Sequence, residues 1–138
     1  MMEEIIISDD KSKLDVVLIH KFLTTSYWAK GRTIDEVKKS IDNSICFWIY
    51  KNDNQIGFAR IITDYVVFAY LMDVFILEEF RGKGYSKILL QKIFDDDRFK
   101  RVKKWMLATK DAHSLYAQFG FGKIKNPDRL MEKVVLRK

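Results

Sequence analysis

The chain has 138 residues, 48% of them hydrophobic and 14% aromatic, which is material for one packed core and too apolar a composition for disorder. Its formal charge of +6, from 25 Lys+Arg against 19 Asp+Glu, favours an anionic partner such as a nucleic acid, an acidic surface or a phosphorylated small molecule. One proline and six glycines exclude collagen-like or low-complexity character, and a lone cysteine excludes an internal disulfide.

That cysteine, Cys46, lies in the apolar run Ile45-Cys46-Phe47-Trp48-Ile49 and reads as a small buried hydrophobe in a reducing compartment. The N-terminus is acidic at Glu3 and Glu4, and no apolar run is long enough to cross a bilayer. Both point to a cytoplasmic protein without membrane contact.

Residues 3–8, with Ile5-Ile6-Ile7, read as a first strand. Leu14, Val17, Leu18 and Phe22 recur at helical spacing and predict an amphipathic helix over 11–25. The aromatic and glycine-containing stretch 26–32 breaks that pattern as a loop. Thr33 and Glu36 form the S/T-x-x-E capping pattern ahead of Ile34, Val37 and Ile41, which predicts a short second helix. Residues 46–51 and 55–63, separated by Asn52-Asp53-Asn54, read as a hairpin.

The aromatic and β-branched run 66–77 predicts a central strand, and Tyr85, Ile88, Leu89 and Ile93 mark a helix ending at Asp95-Asp96-Asp97. A short strand over 105–108, a helix over 111–119 stopped by Gly120 and a closing strand over 130–136 complete the chain. The order is strand, two helices, three strands, helix, strand, helix, strand. It describes one α/β domain with a mixed sheet.

The informative segment is Arg81-Gly82-Lys83-Gly84-Tyr85-Ser86, which joins a strand to a helix. The first amides of a helix lack internal partners and carry the positive end of its dipole. Glycines at 82 and 84 remove the Cβ atoms that would hold a phosphate off those amides, Arg81 and Lys83 add charge, and Ser86 offers a hydroxyl. The inference is a pyrophosphate cradle. The Walker loop fits poorly because Gly84 and Tyr85 follow Lys83, and the dinucleotide fingerprint because a third glycine is missing; a plain strand-to-helix turn is the alternative reading.

Arg81-x-x-Gly84-x-Ser86 resembles the R/Q-x-x-G-x-G/A motif of the GNAT (Gcn5-related) N-acetyltransferases, and the preceding residues 73–80 resemble that family's fourth strand and its exit. Ala112-His113-Ser114-Leu115-Tyr116-Ala117-Gln118-Phe119-Gly120-Phe121 is similar to the family's A-x-x-L-Y-x-x-x-G-F helix. The departures are Ser86 for Gly or Ala, Glu78 for a common proline, and Thr109 where many members have Asn.

The resemblance implies the acyl-CoA N-acyltransferase fold, a mixed and mostly antiparallel central sheet flanked by helices. It also implies a direct transfer of acetyl from acetyl-CoA to a primary amine of a small molecule or peptide. It implies that the pantetheine arm lies along the main chain of Val74, Phe75 and Ile76, with a strand amide near Val74 or Phe75 as oxyanion donor. The pyrophosphate would sit on Arg81, Gly82, Lys83, Gly84, Tyr85 and Ser86, with Thr109 and Ser114 as further cofactor contacts. Tyr116 is implied as the general acid beside the sulfur, with core packing as the alternative.

Asp73, in the strand beside the expected thioester, is the first candidate for the base; Asp64, Glu79 or a water chain are rivals. Family practice points acceptor recognition to Tyr27, Trp28 and Arg32, with Arg60 and Tyr65 as contributors: cation–π contact from the aromatics and carboxylate pairing from Arg32. The same aromatics also suit a core-capping role. His20, His113 and Cys46 form no set at metal spacing, so no metal is expected.

Two other functions compete: a non-catalytic acetyl-CoA-binding module, and a nucleic-acid binder using Arg98, Lys100, Arg101, Lys103 and Lys104. No helix-turn-helix, zinc or RNA-binding motif supports the second. Homodimerisation is frequent in the family and is carried as an expectation.

Overall fold

The computed structural model describes residues 4–26 and 29–135. They fall into two compact units, residues 1–108 and 109–138, which are taken in turn. The first unit is built on a five-stranded sheet in the order β1-β2-β3-β4-β5. Its strands are β1 (Ile5–Ser8), β2 (Ile45–Lys51), β3 (Asn54–Thr63), β4 (Phe68–Ile76) and β5 (Lys104–Met106). The first three pairings are antiparallel, and β4 pairs with β5 in parallel.

The expected helix over 11–25 is divided. A single 3-10 turn, Lys11–Lys13, precedes α1 (Val16–Thr25), because Asp10 and Asp15 each accept an amide hydrogen bond that starts a fresh helical turn. Helix α2 (Ile34–Asp42) starts at a complete capping box: the Thr33 hydroxyl accepts from the Glu36 amide at 3.1 Å and Glu36 accepts from the Thr33 amide at 3.2 Å.

Alternation along β2 divides the core. Cys46 and Trp48 join Ile19, Leu23, Val37, Ile41, Phe58 and Phe75 in a cluster built with α1 and α2. Phe47, on the opposite face, meets Phe99 with ring centroids 6.2 Å apart. Helix α3 (Tyr85–Phe94) buries Tyr85, Leu89, Leu90 and Ile93. Gly57 in β3 is required by close packing, since a Cβ there would meet Ile76 Cδ1 at 2.5 Å and the Phe75 carbonyl at 2.8 Å.

The second unit holds a short helix, α4 (His113–Ala117), and a 3-10 turn, Pro127–Arg129. The predicted helix over 111–119 is shortened at both ends. Gly120, at φ 93°, supplies the left-handed residue that stops it. The closing strand expected over 130–136 is not formed in the described part: residues 130–135 pair with no strand, and Met131 and Val135 are 98% and 78% exposed. An apolar segment makes a strand only when a neighbour accepts its hydrogen bonds, and none does so here among the described residues.

Candidate active site

The β3–β4 ladder runs in register from Thr63↔Ala69 to Arg60↔Met72 and resumes one residue out of step at Phe58↔Phe75. Asp73 and Val74 therefore stand opposite Ala59 in a bulge, and Asp73 takes the left-handed value φ 55°. Pairing with β5 stops at Tyr70↔Met106. From Leu71 to Ile76 the β5-side edge of β4 pairs with no strand among the described residues, so the strand ends in an open main-chain edge.

This edge leads through the 3-10 turn Glu78–Phe80 into the glycine loop. Gly82 has φ 77° and Gly84, the residue preceding α3, has φ 84°. A Cβ at either position would meet nothing within 4 Å, so both glycines face open space. No side chain caps α3, and the amides of Gly82, Lys83 and Gly84 bond to no other described residue. Open space beside the glycines and amides without partners are what an anion would need at this loop.

Arg81 donates from Nε to the Ile76 carbonyl at 2.9 Å, and its guanidinium lies 5.8 Å over the Phe22 ring. Phe22 in turn stacks on Phe75 at 4.0 Å. The loop cation is therefore tied to β4 through both main chain and rings. Lys83 is exposed, Ser86 is half-buried, and the Tyr85 side chain is buried with Lys51 Nζ 5.7 Å over its ring.

Asp73 is buried, and its Oδ2 accepts from Arg60 Nε and from Arg32 Nη1, each at 2.9 Å. That places the candidate base between two guanidiniums. Arg60 also donates Nη1 to Ser44 Oγ at 2.9 Å. The rival Asp64 is exposed and accepts the amides of Val66, Val67 and Phe68 on Oδ1, bonds that hold its carboxyl below the usual range. Glu79 is exposed in its turn.

Of the expected acceptor contacts, Tyr27 and Trp28 lie outside the described residues. Arg32 sits between α1 and α2 with its main chain pinned: its amide donates to the Ala29 carbonyl at 3.2 Å, and its carbonyl bonds His20 Nε2 at 2.9 Å. Arg60 and Asp73 share one site, whereas Tyr65, at the β3–β4 turn, stacks on Phe99 at 6.1 Å. The part of His20 in holding Arg32 was missed by sequence reasoning; the twelve-residue separation carries no periodic signal.

In the second unit, Tyr116 is buried and packs edge-on against Phe121 at 6.0 Å. The Thr109 hydroxyl accepts from the Ala112 amide at 3.1 Å ahead of α4, and Ser114 is exposed on that helix.

Burial pushes the Cys46 thiol up to about 12, so it stays neutral and is no nucleophile. Arg98 pairs with Asp9 and Asp96, which removes one cation from the basic stretch considered for nucleic acid. Among the described residues no group of His, Cys, Asp and Glu is arranged to hold a metal, and no helix is long and apolar enough to cross a membrane.

Comparison with known proteins agrees with this geometry. The acetyltransferase (GNAT) domain family matches residues 42–123. A crystal structure of a protein from Xanthomonas campestris pv. campestris, described as an acetyltransferase of the GNAT family, superposes with a TM-score of 0.92 at 43% identity, over 96% of this chain and 94% of that one. A protein of Gibberella zeae named as an acetyltransferase is 28% identical over 134 residues, 82% of this chain and 76% of the relative. An acetyltransferase from Clostridium acetobutylicum, crystallised with acetyl-CoA, shares the fold with a TM-score of 0.65 at 15% identity over 99% of this chain and 96% of that one.

Proposed function

This chain is an acetyltransferase and belongs to the GNAT family, and from that premise we propose that it moves acetyl from acetyl-CoA to a primary amine of a small molecule or peptide by direct attack in a ternary complex. One observation carries the reading: the bulged, open edge of β4 runs into a glycine loop in which the amides of Gly82, Lys83 and Gly84 bond to no other described residue.

The backbone fits the co-substrate. A diphosphate needs converging N–H donors without intervening Cβ atoms, and a pantetheine amide needs a strand edge with exposed donors and acceptors. The amides of Gly82, Lys83 and Gly84 bind the diphosphate, with Arg81, Lys83 and Ser86 adding charge and a hydroxyl and Tyr85 contributing its main chain. The open main chain of Val74, Phe75 and Ile76 orients the arm, and an amide at Val74 or Phe75 donates to the carbonyl oxygen as negative charge grows on it. Bound acetyl-CoA supplies an acyl group activated as a thioester.

Thr109, Ser114 and Tyr116 enter through the family's helix motif. Thr109 and Ser114 contact the co-substrate, and the Tyr116 phenol donates a proton to the departing sulfur. Asp73, the expected base, has two guanidiniums on one oxygen, so we assign it instead to positioning the arginines and the bulge. With Asp64 committed to three amides, the amine's proton passes to water. Tyr27, Trp28 and Arg32 are assigned to the acceptor side.

Calorimetric titration with acetyl-CoA, followed by thiol-release assays over an amine panel, tests the reading. Saturable binding with release on an amine is expected. Binding without release on any acceptor would favour a non-catalytic module, and no binding would end the proposal.

A further inference from the structure

We propose that Arg32, Arg60 and Asp73 form an anion-recognition site that selects acceptor amines carrying a carboxylate or a phosphate. The inference rests on the acetyl-transfer reading above and names the class of acceptor.

Two guanidiniums share one carboxylate, so the cluster keeps a net positive charge. Fastening Arg32 to the sheet needs only one ion pair; the second arginine overcompensates. The three side chains differ in exposure: 1% for Asp73, 7% for Arg60 and 23% for Arg32. The surplus charge therefore reaches solvent through Arg32.

The donor inventory agrees. Arg60 directs Nε at Asp73, Nη1 at Ser44 Oγ and Nη2 at Met72 Sδ, the last at 3.1 Å. Arg32 directs only Nη1 at Asp73, and its Nε and Nη2 make no bond to another described residue. A guanidinium anchored at one corner, with its main chain held through Ala29 and His20, is preorganised for an oxyanion. Partial burial strengthens its field relative to a surface cation.

Position completes the argument. Asp73 occupies the β4 bulge directly before Val74 and Phe75, where the reading above has the thioester carbonyl. An anion on Arg32 therefore lies on an acceptor whose amine is near that carbonyl, which suits a short amino acid or an amino-sugar phosphate. Polyamines and aminoglycosides would bring like charge to the same cluster.

The test uses the full chain and first measures acetyl-CoA binding by calorimetry. Thiol release is then followed with amino acids, their carboxamides, amino-sugar phosphates, the unphosphorylated sugars, and polyamines. Expected is a kcat/KM roughly 10- to 100-fold higher for an anionic amine than for its neutral counterpart, the worth of a charge-assisted hydrogen bond. The carboxylate and phosphate arms distinguish the two sources of the anion.

Arg32→Gln should collapse that ratio towards one through KM, with acetyl-CoA affinity retained. Arg32→Lys should restore part of it, since charge survives without the planar fork. The proposal is overturned by preference for neutral or cationic amines, by equal losses on anionic and neutral acceptors in Arg32→Gln, or by no release from any anionic amine while acetyl-CoA binds. Failure of acetyl-CoA to bind would instead refute the reading beneath it.

Discussion

Alanine in place of Gly84 separates the folding role of the glycine loop from its binding role. The residue has φ 84° and ψ 7°, a left-handed conformation that costs an L-residue about 1–2 kcal/mol. No packing penalty adds to it, because the new Cβ would meet nothing within 4 Å. The variant should therefore fold, with a melting temperature lowered by roughly 3–7 °C for a chain of this size. The same Cβ projects into the space assigned to the diphosphate and holds it off the adjacent amides. Loss of one charge-assisted hydrogen bond, at about 1.5–3 kcal/mol, weakens acetyl-CoA binding roughly 10- to 100-fold. Thermal melts and calorimetry on one preparation measure both quantities. Unchanged affinity in a folded variant would refute the cradle, and a variant that does not fold would show that the site is not open.

The same substitution at Gly57 should behave in the opposite way: a Cβ 2.5 Å from Ile76 Cδ1 and 2.8 Å from the Phe75 carbonyl forces β3 and β4 apart, at about 3 kcal/mol, read as a lower urea midpoint. Asp73→Asn removes a buried negative charge from between two guanidiniums and should cost about 3 kcal/mol or more; a wild-type midpoint would deny the cluster its anchoring role. Tyr116→Phe should lower kcat about 100-fold with acetyl-CoA affinity retained, and full activity would remove it as the acid. Cys46, buried and with its thiol pushed up to about 12, should resist a thiol reagent at pH 8 in the native protein and react once unfolded. Above pH 9.0 the unfolded chain loses a thiol proton that the folded chain keeps, so stability falls as pH rises from 9.0 towards 12, and Cys46→Ala should flatten that limb.

Elements whose determinants are close in sequence were readable before the structure. The Thr33–Glu36 capping box needs only a hydroxyl and a carboxylate three positions apart, and both of its hydrogen bonds form. The Asn52-Asp53 turn between β2 and β3 likewise follows from two residues that tolerate positive φ, here 49° and 72°. The strand, glycine loop and helix from residue 68 to 94 were legible because two glycines and a change of hydrophobic period mark the junction. Periodicity misread the start of α1, where Asp10 and Asp15 each begin a turn, and the chain end at 130–135, where an apolar pattern found no ladder.

The amino-acid order by itself determined most of the element types, the family motif and the left-handed glycine loop, since each depends on contacts within a few residues. Only the tertiary structure decided that β4 bulges at Asp73 and that its edge opens beyond Tyr70, because register is a relation between strands. It also joined Asp73 to Arg60, thirteen positions away, and to Arg32, forty-one away. Charge pairing at that separation leaves no periodic trace in a chain; it arises when folding brings the three groups into one poorly solvated space, where a carboxylate must find partners.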